Sequence, residues 1–196
     1  MKTNAAPVPP MPLAPALFGP TRDTRLMLVA VGIGLLWASA KIQIPLWPVP
    51  ITMQTYVVVV IALSYGLRLG LATIGGYVAL GALGLPIFAG TPEKGLGIAY
   101  LIGPTGGYIL GFVVAAFACA WIEARGLARG FVSYFVAALA GHVVILACGV
   151  VWLAAAIGWE RAIATGVAPF MWGTVLKTVM AALTLAAGAK WARARR

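Results

Sequence analysis

Six apolar stretches follow one another along the chain, each closed by glycine, proline or charge. The first opens with the run Leu26–Trp37, and the second extends from about Ile51 to Leu67. The third covers Leu69–Phe88 and carries Gly70, Gly75, Gly76, Gly81 and Gly84 before it stops at Pro86. The fourth runs from Thr105 to about Ala124, the fifth over Phe131–Ile157, and the sixth from Phe170 to about Trp191. The breaks fall at Gly90-Thr91-Pro92, Gly103-Pro104, Gly126 and Pro169, residue types that punctuate helices. A bilayer core ~30 Å thick takes about 20 apolar residues per helical span, so six spans fit within 196 residues. The pattern predicts an all-α membrane protein, a six-helix bundle over residues 26–191. It is preceded by a proline-rich tail over 1–25, expected to be disordered, and followed by a short basic tail over 192–196.

Composition agrees. The chain is 62% hydrophobic and 9% charged, with a mean hydropathy of +1.00. These values lie far from those of a soluble domain. The segment Leu26–Trp37 followed by Ala38-Ser39-Ala40 imitates a cleavable secretory signal, but the spans that follow favour an uncleaved first helix. The net charge of +10 reflects topology, since no basic helix interleaved with aromatics points to nucleic acid. With the N-terminus cytoplasmic, Lys2, Arg22, Arg25, Arg68, Arg125, Arg129, Lys190, Arg193, Arg195 and Arg196 fall inside. Only Lys41, Lys94 and Arg161 fall outside. That bias predicts both termini on the cytoplasmic side of a cell membrane.

Between the first two spans, Pro45–Gln54 (Pro-Leu-Trp-Pro-Val-Pro-Ile-Thr-Met-Gln) holds three prolines in six residues. No helix crosses it intact, and irregular backbone of this kind cannot face lipid. It reads as an outer, lid-like loop over a protein cavity.

The basic residue left over, Lys177, sits inside the sixth span, roughly 10–12 Å from its outer end at 1.5 Å per residue. A buried ammonium is costly and faces a bundle interior or a ligand, or else snorkels outward along lipid. Phe170, Thr174, Ala181, Thr184 and Gly188 share its helical face. Asp23, Glu93, Glu123 and Glu160 all lie outside the spans or at their ends, so an external anion or acceptor is the expected partner. His142 could act as a ligand or proton carrier but reads more readily as a helix–helix hydrogen bonder, and Cys119 and Cys148 read as small buried residues without disulfide or metal spacing. Ala30, Gly34 and Ala38 form a small-residue stripe on the first helix, suited either to packing within the bundle or to docking of another membrane subunit. Gly107 and Gly111 repeat the spacing on the fourth helix and read as packing.

No phosphate-binding loop occurs, so the chain is not expected to hydrolyse ATP. No paired carboxylates, activated nucleophile or metal-ligand cluster points to an enzyme, and no buried acidic relay points to proton coupling. What remains is a capture subunit that depends on others for energy.

Four segments carry a resemblance. They are Pro48-Val49-Pro50-Ile51-Thr52-Met53-Gln54-Thr55, Leu80-Gly81-Ala82-Leu83-Gly84-Leu85-Pro86-Ile87-Phe88-Ala89-Gly90, Gly103-Pro104-Thr105-Gly106-Gly107-Tyr108-Ile109-Leu110-Gly111-Phe112, and Pro169-Phe170 leading to Lys177. In this order, over about residues 26–190, the chain resembles the BioY family, the biotin-binding S components of energy-coupling factor (ECF) transporters. The resemblance implies a six-helix S-component fold and a biotin site open to the outside. It also implies a partner module of one transmembrane T component and two cytosolic ATPases, and no resident cofactor. The Ala30, Gly34 and Ala38 stripe is similar to the one such subunits press against the T component. In the sixth helix the family pattern looks like Gly-Asp-x-x-Lys, whereas this chain reads Gly173-Thr174-Val175-Leu176-Lys177. Lys177 carries over as a ligand contact and Thr174 as a position only. Trp47, Phe88, Tyr108 and Phe170 are the aromatics expected against the bicyclic ring, with Lys177 donating to the ureido oxygen or pairing with the valerate carboxylate. The alternatives are a different vitamin on the same scaffold, or a membrane scaffold without a ligand.

Overall fold

The computed structural model describes residues 11–195. In chain order the helices are α1 (Leu13–Phe18), α2 (Arg22–Lys41), α3 (Gln54–Tyr65), α4 (Leu67–Ala82), α5 (Gly97–Ile102), α6 (Gly106–Ala124), α7 (Phe131–Ile157), α8 (Trp159–Gly166) and α9 (Met171–Ala194). A two-stranded antiparallel ladder, β1 (Gln43–Ile44) with β2 (Ile51–Thr52), sits between α2 and α3, and a 3-10 turn (Ala168–Phe170) leads into α9. Helices α2, α6, α7 and the α8–α9 segment are long and apolar enough to cross a membrane; α3 and α4 are shorter apolar helices.

Close approach follows from small residues. The α6–α7 contact forms where Gly107 faces Trp152 and Gly111 lies against Ile145 and Cys148, as the spacing in α6 predicts. A Cβ at Gly111 would sit 3.0 Å from the Ile145 Cα, tighter than ordinary packing allows. Helix α7 also packs on α9, and α3 lies between α6 and α9. Cys119 Sγ donates to Ala137 O at 3.6 Å across the α6–α7 seam.

Two boundaries differ from the sequence reading for local reasons. The second helix begins at Gln54 rather than near Ile51, because Ile51 and Thr52 pair with Ile44 and Gln43. The third ends at Ala82 rather than Phe88, because Gly84 adopts φ +101, which terminates helical geometry. The expected disorder of 1–25 is corrected over its second part. Residues 13–18 form α1 with Ala14 and Pro15 buried, and α1 packs on α3 and α9. Arg22–Arg25 already belong to α2, whose first turn is capped by Thr21 Oγ1 accepting from Thr24 N at 3.2 Å. Residues 1–10 lie outside the described residues.

The connections gather at one end of the bundle. There Lys41 Nζ, at the end of α2, donates to Phe88 O, Thr91 O and Thr91 Oγ1, each at 3.2 Å. Trp152 Nε1 donates to Gly103 O at 3.1 Å. The hairpin, the 83–105 segment and the α8 region thus cover the same end, and a cavity lies beneath them.

Candidate ligand cavity beneath the hairpin

A narrow cavity of about 30 Å³ lies between the hairpin and helices α3, α6, α7 and α9. Its wall is mostly apolar, from Val49, Pro50, Ala89, Ile109, Phe112, Ile145, Leu146 and the rings of Tyr108 and Phe170. The polar groups are few: Thr52, Gln54, Thr55, Thr105, His142, Thr174 and Lys177. An apolar enclosure with sparse polar groups is the usual make-up of a small-molecule site.

Each polar group is held by its element. Lys177 lies six residues after the start of α9, roughly 9 Å along the axis. It is only 6% exposed, so its stem does not run out along lipid. Its Nζ donates to Thr52 O at 2.8 Å and to Thr55 Oγ1 at 3.3 Å. The expectation that Lys177 lacks a partner within the chain is therefore corrected: the hairpin supplies one at Thr52 and the first turn of α3 another at Thr55, both uncharged. The same bonds tie the hairpin and α3 to α9, which holds the one buried Lys or Arg among the described residues.

Thr174, one turn earlier on α9, is buried, and its carbonyl accepts from Thr178 Oγ1 at 2.8 Å. Gln54 is buried at the first position of α3, where its Nε2 donates to Tyr77 Oη at 2.7 Å. Tyr77 Oη in turn donates to Ile87 O at 2.8 Å. Tyr108 Oη donates to Gly166 O at 2.8 Å, which fixes the α6 ring against the end of α8. Its ring stacks on Phe170 with centroids 5.9 Å apart, giving the cavity one aromatic wall.

Of the residues singled out from the sequence, Lys177, Thr174, Tyr108 and Phe170 come together at this cavity. Trp47 and Phe88 do not. Trp47 lies in the β1–β2 turn, 82% exposed, beside an outer groove with Lys94, Tyr100 and Pro104. Phe88 is fully buried behind the cavity, edge-on to Tyr77 (5.5 Å) and stacked on Tyr100 (4.8 Å); its neighbour Ala89 lines the wall instead. Helix α4 meets Phe88 at Gly81, where a Cβ would strike the ring, so this aromatic fills the core.

The sequence did not single out Gln54, Thr52 or Thr55 as site residues, and it ranked a ligand role for His142 below helix–helix bonding. A signal existed for the first three, which close the proline-rich segment and open α3. His142 bonds across α7–α9, Nδ1 to Thr178 Oγ1 at 3.2 Å, as a helix–helix hydrogen bonder does, and it also borders the cavity.

The Ala30, Gly34 and Ala38 stripe faces away from the bundle. Ala30 and Ala38 are exposed, and a Cβ on Gly34 would meet nothing within 4 Å. Packing against the described residues is thereby removed as its explanation. Beside it runs an apolar groove lined by Ile33, Trp37, Leu80, Leu85, Pro86 and Ile87.

Fold and cavity together define a multi-pass helical membrane protein with an internal, mostly apolar cavity. The same fold occurs in the crystal structure of the S-component for biotin from an ECF-type ABC transporter, with a TM-score of 0.77 over 89% of this chain and 95% of that one, at 19% identity. The BioY family model matches residues 10–194, and the chain belongs to the BioY family. It is 40% identical over 156 residues to the probable biotin transporter BioY of Pyrococcus horikoshii, covering 80% of this chain and 90% of that protein. It is 39% identical over 159 residues to the biotin transporter BioY of Thermotoga maritima, covering 80% and 91% respectively.

Proposed function

We propose that this chain is a biotin-capture subunit: it takes up biotin from the outer side of the cytoplasmic membrane and passes it inward with an ECF module of one T component and two cytosolic ATPases. The observation that carries the reading is Lys177, an ammonium held inside a mostly apolar cavity by two neutral groups, Thr52 O of the hairpin and Thr55 Oγ1 of α3. Biotin offers that cation two acceptors, a ureido oxygen and a carboxylate, on an apolar bicyclic body that suits the Tyr108–Phe170 wall. Membership of the BioY family and the names borne by its relatives support the same ligand.

Six spans, with both termini cytoplasmic, are consistent with this role. The short helices α3 and α4, 12 and 16 residues, rise roughly 18 and 24 Å, so each is expected to cross with help from its flanking loops. At the end opposite the hairpin, Arg125 stacks on Trp121 (3.6 Å) and Arg195 on Trp191 (3.5 Å), basic and aromatic anchors that suit an inner interface. The outward stripe of Ala30, Gly34 and Ala38 offers the T component a flat surface for close helix contact. Binding and gating without group chemistry leave no role for an enzyme.

Uptake into proteoliposomes tests the proposal. With the T component and ATPases present, ATP should drive accumulation of labelled biotin; with this chain alone, label should not exceed its outside concentration. Accumulation against a gradient by the lone chain contradicts the division of labour.

A further inference from the structure

The single histidine of the chain carries a hydrogen-bonding atom that nothing among the described residues engages. His142 is 2% exposed on α7. Its Nδ1 lies 2.9 Å from Ala138 O and 3.2 Å from Thr178 Oγ1. A carbonyl only accepts, and the Thr178 hydroxyl already gives its hydrogen to Thr174 O at 2.8 Å. Both neighbours therefore accept, and Nδ1 carries the hydrogen. In a neutral ring that leaves Nε2, on the other edge, as a bare acceptor. It is buried and has no partner among the described residues, a costly state for a polar atom. The residue borders the same cavity as Thr174 and Lys177.

We propose that His142 is a ligand-reading residue: its Nε2 accepts a ureido N–H of biotin, so that the ureido group lies between α7 and α9. This rests on biotin being the ligand, as proposed above. The ligand's chemistry selects the end. Ionised biotin has N–H donors only on the ureido ring; its carboxylate, sulfur and carbonyl offer lone pairs alone. A carboxylate facing Nε2 would need a second proton on the ring, which would place another buried cation in the wall that already holds Lys177. With the ureido ring here, N–H meets Nε2 and the adjacent carbonyl is in position to receive Lys177. The polar corner then matches a donor–acceptor pair, and the tail points toward the hairpin.

Because the chain has one histidine, 15N-histidine labelling reports on this atom without any substitution. On titrating the full chain in detergent with biotin, the Nε2 resonance should move as it accepts a hydrogen bond, with Nδ1 remaining protonated. Calorimetry on the same sample establishes that biotin is bound. A bound sample with an unmoved Nε2 overturns the role of His142 and leaves biotin capture standing; a sample that does not bind overturns both. A second arm compares biotin with an analogue methylated at both ureido nitrogens. His142→Leu should weaken biotin about tenfold or more while changing the analogue little, and His142→Gln should restore part of the preference. Equal weakening of both ligands by His142→Leu would assign the residue to packing alone and overturn the proposal.

Discussion

Position 174 decides how strongly the polar corner of the cavity accepts. A threonine stands there, buried, one turn from Lys177 on the same face of α9. Thr174→Asp would offer a carboxylate to a ureido N–H, and a hydrogen bond to a charged acceptor is roughly twice as strong as a neutral one. The same carboxylate would also pair with Lys177 in the unliganded protein and compete with its bonds to Thr52 and Thr55. The acceptor should prevail, since an ion pair already in the wall can reorient onto a ligand more readily than a hydroxyl can acquire charge. Competition binding with labelled biotin should therefore show tighter binding by Thr174→Asp than by the parent; weaker binding would mean that the ion pair locks the site. Trp47 makes the contrasting case. Its ring is 82% exposed outside the cavity, so Trp47→Ala should leave the affinity within about twofold, as expected where no buried contact is removed.

At the scale of elements, two glycine-bearing faces with the same spacing behave differently. A Cβ at Gly111 on α6 would meet Ile145 and Cys148 of α7 at 3.0–3.1 Å, so Gly111→Val must push the helices apart, at a cost of ~1–3 kcal/mol or more for overpacking. Gly34 on α2 has open space where a Cβ would go, so Gly34→Val should leave the melting temperature of the isolated chain unchanged while impairing assembly with the T component. Thermal unfolding of both variants and co-purification of the complex check the pair; loss of stability in Gly34→Val would return that stripe to internal packing. Sequence alone gave both stripes one appearance, because four-residue spacing says which residues share a face and not what the face meets. The same limit explains the aromatics. Tyr108, Phe170 and Phe88 look equivalent in sequence, yet Gly81 lets Phe88 sink behind the wall, and only tertiary packing reveals that. Helices α6, α7 and α9 were legible nearly to the residue, since long apolar runs bounded by glycine or proline leave little choice. The hairpin was legible as a break but not as a ladder, because two paired residues per strand leave almost no alternation to detect.

For the molecule as a whole, charge and closure set the direction of traffic. Arg22, Arg25, Arg68, Arg125, Arg129, Arg193 and Arg195 belong to the end away from the hairpin, which is expected to face the cytoplasm. In a background lacking Cys119 and Cys148, cysteines in the 89–104 loop should react with an impermeant thiol reagent on intact cells, and cysteines near Arg125 should not; the reverse pattern would turn the cavity inward. The hairpin closes the other end and is bonded to the buried Lys177, so a ligand that engages the ammonium competes with its own cover. That arrangement places the whole account on one side chain. Calorimetric titration of the purified chain with biotin, set beside Lys177→Ala, tests it most directly. The parent should bind saturably and the variant should lose about tenfold or more, from an acceptor left buried without a donor, at 1.4 kcal/mol per decade. Equal affinity of Lys177→Ala and parent would place the biotin site elsewhere and contradict it.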